Sequence, residues 1–156
     1  MAVTQLSHEL VTRPTVPSVP GISLRTFGGE CDIDVWLGLR ERTFAGERPA
    51  VRPWSQADFA AEFLDKWWWS ADRMWFAEAD ETIGSVTLGV RGRPPTATSV
   101  VHWLMVVPEW RRRGIGRLLV TCLERACWEQ GERRTALESH TGWTAAAGFY
   151  RSLGYR

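Results

Sequence analysis

The chain has 156 residues, 44% hydrophobic and 24% charged, which suits one soluble globular domain with a single core. A net charge of +1 gives no global field favouring nucleic acid or an anionic membrane, and no apolar run approaches the ~20 residues of a membrane-spanning helix. The three cysteines, Cys31, Cys122 and Cys127, form neither a disulfide framework nor a metal-ligand spacing, so reduced thiols and no metal site are expected.

In chain order, residues 1–20 carry Pro14, Pro17 and Pro20 and few large apolar groups. They read as an extended arm, ahead of a domain over 21–156. No charged start followed by an apolar run marks a secretory signal, so a cytoplasmic location is expected. Gly21 to Phe27 alternates apolar and polar residues as a half-buried strand does. A helix is predicted over Asp32 to Phe44, with Ile33, Trp36, Leu37 and Phe44 on one side, then a loop from Glu47 to Pro53. Ser55 and Asp58 fit a capping box that opens a second helix, and Phe59, Phe63 and Trp67 form its apolar stripe.

Met74 to Ala79 and Thr82 to Val90 read as strands joined by a tight turn near Asp80, followed by a loop over Arg91 to Thr98. Val100 to Val107 is nearly all apolar and reads as a central buried strand. Gly114 to Gln130 is a helix that turns Leu118, Leu119, Leu123, Ala126 and Cys127 inward and stops at Gly131. A short strand over Thr135 to Glu138 and a last helix over Thr144 to Leu153 complete a mixed α/β (α+β) pattern.

Chemistry concentrates in Val106-Val107-Pro108-Glu109-Trp110-Arg111-Arg112-Arg113-Gly114-Ile115-Gly116-Arg117. A strand ends at Pro108, a helix begins near Gly114, and two glycines and four arginines lie in the turn between them and its exit. Such a turn aims backbone N–H groups at one spot, and the first helical amides add unpaired donors and a positive dipole end. Glycine leaves room for an anion to approach the backbone. The spacing lacks the lysine of a Walker loop, and Leu119 stands where a dinucleotide fingerprint needs glycine. A basic nucleic-acid patch and a plain structural turn remain open readings of Arg111-Arg112-Arg113.

Arg111-x-x-Gly114-x-Gly116 after an apolar strand resembles the acetyl-CoA motif of the GNAT superfamily of N-acetyltransferases. Ala146-Ala147-Gly148-Phe149-Tyr150-Arg151-Ser152-Leu153-Gly154-Tyr155 resembles that family's A-x-x-F-Y-x-x-x-G-[FY] helix. The resemblance implies a mixed sheet flanked by helices. It also implies transfer of an acetyl group from acetyl-CoA, the acyl donor, to a primary amine of a small-molecule or peptide acceptor through a tetrahedral intermediate. Backbone amides over Arg112, Arg113, Gly114, Ile115, Gly116 and Arg117, with Arg111 at the motif's start, would hold the cofactor pyrophosphate. Leu104, Met105 and Val106 would pair with the pantetheine arm like an added strand, and the Val106 N–H would face the thioester oxygen. Tyr150 would donate to the departing thiolate. Trp143 stands where the family often has an asparagine. A module that binds CoA without turnover is the alternative.

Acyl transfer to an amine needs a free amine, a stabilised oxyanion and a stabilised leaving thiolate. Deprotonating a lysine-like amine at pH 7 costs about 4–5 kcal/mol, so a base is expected. Strand alternation would put Val100, His102, Leu104 and Val106 on one face, which makes His102 the first candidate. A core histidine satisfied by a neighbour is its bland reading, and Glu138 and His140 are rivals. Of ten tryptophans, Trp54, Trp67, Trp68, Trp69 and Trp75 cluster in sequence. They read either as core filling or as the wall of a pocket for an aromatic or cationic acceptor. In the resembling family a further strand opens at the Gly154-Tyr155 pair and a hairpin partner follows. With those C-terminal strands apparently missing, the edge at Thr135 to Glu138 should be covered, by the arm through His8 to Thr15 or by a homodimer partner.

Overall fold

The computed structural model describes residues 3–47, 50–140 and 144–156. Six strands, β1 (Val3–Glu9), β2 (Ser23–Thr26), β3 (Met74–Glu78), β4 (Thr82–Arg91), β5 (Thr98–Val106) and β6 (Arg134–His140), form one sheet in the order β1-β6-β5-β4-β3-β2. Neighbours are antiparallel except β5 and β6, which run parallel. The helices are α1 (Cys31–Phe44), α2 (Gln56–Phe59), α3 (Ile115–Glu129) and α4 (Thr144–Ser152). This is the mixed α/β sheet flanked by helices that the sequence implied.

The helix ends follow local chemistry. Ser55 caps α2 through its hydroxyl, which accepts from the Asp58 N–H, while the Asp58 carboxylate accepts from the Ser55 N–H. α2 then passes into a π-helical turn, Ala60–Leu64, closed by the Asp65 N–H donating to the Ala60 carbonyl at 2.9 Å. That wider turn corrects one expectation. Phe59 and Phe63 are fully buried, but Trp67 falls beyond the helix and is 48% exposed, so the stripe ends one residue type early. In α1 the apolar side is Ile33, Trp36 and Leu39, with Leu37 and Phe44 only half-buried.

Two helical layers cover opposite faces of the sheet. A Cβ at Gly84 would meet Leu119 Cδ1 at 3.1 Å and Ile115 Cγ2 at 3.4 Å, so that face lies under α3. Thr87, of opposite parity on β4, pairs with His102, whose ring packs 5.7 Å from that of Phe63 in the π-turn. α3 buries Leu118, Leu119, Val120, Leu123 and Cys127, with Ala126 half-buried, and stops at Gly131 with φ +86°.

The arm differs most from expectation. Val3–Glu9 is a strand of the sheet, antiparallel to β6 from Val3 opposite His140 to Glu9 opposite Arg134. The open edge is thus covered within the chain, by residues N-terminal to most of the segment expected for it, and needs no second copy. On the far side of β1, Ser7 and Arg156 exchange two backbone hydrogen bonds of 2.9 Å. A buried polar cluster pins the two ends. The Tyr155 hydroxyl donates to Glu124 Oε2 at 2.8 Å and lies 2.7 Å from Thr135 Oγ1, while His8 Nδ1 lies 2.9 Å from Glu124 Oε2.

Candidate active site

The site begins with an irregular strand. On β4, Ser85 and Thr87 are two residues apart, yet their partners on β5 are Met105 and His102, three apart. β5 therefore carries a bulge, and Trp103 takes a left-handed φ of +51° inside it. The bulge overturns the alternation expected for this strand. His102 shares its face with Met105, the partner of Ser85, and not with Leu104 and Val106. Trp103 packs on the same side as His102, its ring 5.4 Å from Trp36 and 5.0 Å from Trp54.

Beyond the bulge β5 leaves β6. Among the described residues the parallel ladder between them consists of Val100 opposite Ala136, with no later pair. The Val107 N–H donates to the Ile83 carbonyl on β4 at 3.0 Å. Successive peptide groups point to opposite sides of a strand, so the Val106 N–H faces the gap on the β6 side. Most of β5 is half-buried, not the continuously buried strand its composition suggests. The same alternation turns the Leu104 N–H to this gap and the Met105 N–H to β4.

The turn after β5 leaves its amides open. Arg112 and Gly114 both take positive φ, +62° and +85°, and Gly114 caps α3. The first hydrogen bond at the start of α3 runs from the Leu118 N–H to the Gly114 carbonyl at 3.0 Å. The amides from Arg112 to Arg117 precede it, and none has a backbone acceptor among the described residues.

The arginine side chains divide. Arg111 donates from Nε to the Val106 carbonyl and from Nη2 to the Thr43 carbonyl, both at 3.1 Å, which ties the turn to β5 and α1. Arg113 lies 4.7 Å over the Trp110 ring. Only Arg111 of the basic triplet is thus tied to the fold by hydrogen bonds; Arg112 and Arg113 remain exposed. Gly116 is also constrained by packing. A Cβ there would meet Phe149 Cζ of α4 at 2.9 Å, so this glycine lets α4 close on α3. The two sequence motifs meet at that contact.

Tyr150 follows Phe149 on α4, half-buried, with its ring 6.0 Å from Tyr155. Burial pushes its phenol up to about 12. Its hydroxyl has no hydrogen-bond partner among the described residues.

On the opposite face, His102 Nε2 lies 3.2 Å from Glu62 Oε1 in the π-turn. Glu62 is held below the usual carboxylate range, first by this hydrogen bond and against the opposing effect of burial. A π-turn and a strand bulge, two departures from regular geometry, thus meet at one polar contact. Both residues border a cleft of about 400 Å³ lined also by Lys66, Trp67, Trp68, Gly89 and Arg93.

Sequence reasoning missed Glu62, because nothing marks a glutamate beside an apolar stripe as the partner of a distant histidine. Of the rival bases, Glu138 is engaged by Arg91 at 3.1 Å. Trp143 and the side chain of His140 lie outside the described residues. The cysteines are free, and burial pushes the Cys122 thiol up to about 11 and the Cys127 thiol up to about 12, which rules both out as ready thiolates.

Comparison with known proteins agrees with this geometry. The family model for the acetyltransferase (GNAT) family matches residues 39–155, and the chain belongs to that family. A mycothiol acetyltransferase of Thermobispora bispora is 28% identical over 158 residues, covering 99% of this chain and 53% of the relative. The chain spans about half the length of the curated mycothiol acetyltransferases it matches. A GCN5-related N-acetyltransferase of Sphaerobacter thermophilus superposes with a TM-score of 0.78 at 21% identity, over 99% of this chain and 47% of that one. An aminoglycoside N-acetyltransferase solved with CoA superposes with a TM-score of 0.65 at 21% identity, over 91% and 92% of the two chains.

Proposed function

We propose that the protein transfers an acetyl group from acetyl-CoA to a primary amine of a small-molecule or peptide acceptor. One observation carries this reading. The β5–β6 gap, ending in a cradle of unpaired amides, adjoins a bulge that turns His102 into a cleft on the other face. The relatives' names and the CoA-bound neighbour support the same donor.

Acetyl-CoA would supply a thioester. The amides from Arg112 to Arg117 would hold its pyrophosphate, and Leu104 to Val106 its extended arm. His102 accepts the proton of the attacking amine, directly or through water, while Glu62 fixes the ring and stabilises the imidazolium. The Val106 N–H stabilises the developing oxyanion. Tyr150 donates a hydrogen bond to the leaving sulfur. With its phenol near 12, full proton transfer to a thiolate of ordinary pKa ~8.5 would be uphill by on the order of 5 kcal/mol, so the proton moves late or not at all.

The test is thiol release from acetyl-CoA over a broad amine panel, with calorimetry of CoA binding. Replacing Arg112 and Arg117 together by alanine should weaken CoA about 10-fold by removing charge-assisted contacts. His102→Ala should lower kcat at least 10-fold with CoA affinity unchanged. Glu62→Gln should lower kcat about 10-fold with CoA affinity unchanged. CoA binding without turnover on any amine would reduce the protein to a CoA-binding module. Failure to bind CoA, with salt-dependent retention on DNA, would overturn the reading altogether.

A further inference from the structure

The charges of the His102 cleft are unbalanced. Its lining holds two cations, Lys66 and Arg93, and one carboxylate, Glu62, which is already engaged by His102. Neither Lys66 nor Arg93 has a carboxylate partner within ion-pair distance among the described residues, whereas Arg13, Arg25, Arg42, Arg52, Arg91, Arg125 and Arg134 each do. Lys66 is also the only lysine of the chain. Arg93 lies 5.7 Å over the Trp67 ring, so the cation–π position on that wall is filled by the protein itself. Arg73, 5.7 Å over the Trp68 ring, adds a third positive charge behind the wall. The floor is bare at Gly89, where a Cβ would meet Val100 Cγ2 at 3.1 Å and His102 Cβ at 3.2 Å.

We propose that the acceptor is a small amine that also bears a carboxylate, received by Lys66 and Arg93 while its amine faces His102. This rests on the assignment of the cleft as the acceptor side. A polycationic acceptor would meet two or three cations and one occupied carboxylate, so it is excluded by repulsion at close range. The indole walls of Trp67 and Trp68 suit a flat or apolar group between the two polar ends.

Binding and turnover are tested separately. Tryptophan quenching reads binding of N-acetylphenylalanine against its carboxamide, both unable to be acetylated again. The acid should bind at least 10-fold tighter, with an advantage that shrinks as salt rises. Lys66→Ala and Arg93→Ala should each erode that advantage, and the Lys66→Glu, Arg93→Glu pair should reverse it; both positions are exposed, so the variants should fold. In turnover, phenylalanine should exceed phenylethylamine in kcat/KM, and O-phosphoethanolamine against ethanolamine asks whether phosphate substitutes for carboxylate. Equal binding of acid and amide, or preference for spermidine, would overturn the proposal. Acetylation of neutral amines and polyamines with CoA binding intact would overturn it while leaving the acetyltransferase reading standing. Loss of CoA binding would strike that reading instead.

Discussion

Tyr150 and Asp32 are single residues whose surroundings decide what they do. Burial pushes the Tyr150 phenol up to about 12, further above physiological pH than an ordinary tyrosine. On the proposed mechanism, in which Tyr150 donates to the departing thiolate, Tyr150→Phe should lower kcat by about 10–100-fold and leave CoA affinity nearly unchanged. Steady-state kinetics with calorimetry checks both halves. Asp32 lies at the start of α1. It accepts from Arg25 Nη1 at 2.7 Å, Arg25 Nη2 at 2.8 Å and the Gly28 N–H at 2.6 Å. Arg25 chiefly, opposed by burial and helped by the Gly28 amide, holds this carboxyl below its usual range. A depressed folded pKa means the stabilisation is present above the unfolded value of ~3.9 and lost as pH falls through the folded value. Asp32→Asn should cost about 1–3 kcal/mol at pH 7, and the difference from the parent chain should fade below pH ~4 in urea titrations.

At the scale of elements, legibility follows from whether geometry constrains residue type. The turn Arg111 to Gly116 could be read because a positive φ at the cap of α3 selects glycine, and Gly114 has φ +85°. The capping box of α2 could be read because the orphan amides need a serine oxygen and a carboxylate at fixed spacing. The bulge in β5 could not. Its left-handed residue is Trp103, a residue type with no preference for that conformation, and its packing among Trp36, Phe44 and Trp54 is what holds it there. The π-turn is silent for the same reason, since Ala60 to Leu64 differ in no way from ordinary helix formers. His102 was singled out by a strand alternation that the bulge breaks, and Glu62 was not, because it reaches His102 only through those two irregularities. β1 was read as an extended arm because a single buried leucine, Leu6, carries its inward face and the remaining residues are half-buried or exposed.

For the whole molecule, the sheet is assembled from contacts of very unequal range. β3, β4 and β5 pair with their sequence neighbours, whereas β1 pairs with β6 across nearly the full chain, Val3 with His140. Closing so long a loop costs entropy before any contact forms, so the meander and its helices should assemble first and the N-terminal strand should dock last. Until it does, the β6 edge is an open template for another chain. Leu6 is 5% exposed and faces Leu137 across that junction. Leu6→Ala should destabilise the protein by about 2–4 kcal/mol, and nearly all of it should appear as faster unfolding with the refolding rate unchanged. Stopped-flow chevrons would check this, and a slowed refolding arm would refute the order of assembly. The late return of the N-terminal strand also sets a concentration limit on refolding: yield should fall as chains become crowded enough to meet the bare edge before residues 3–9 reach it, and a peptide of those residues, added in excess, should restore it.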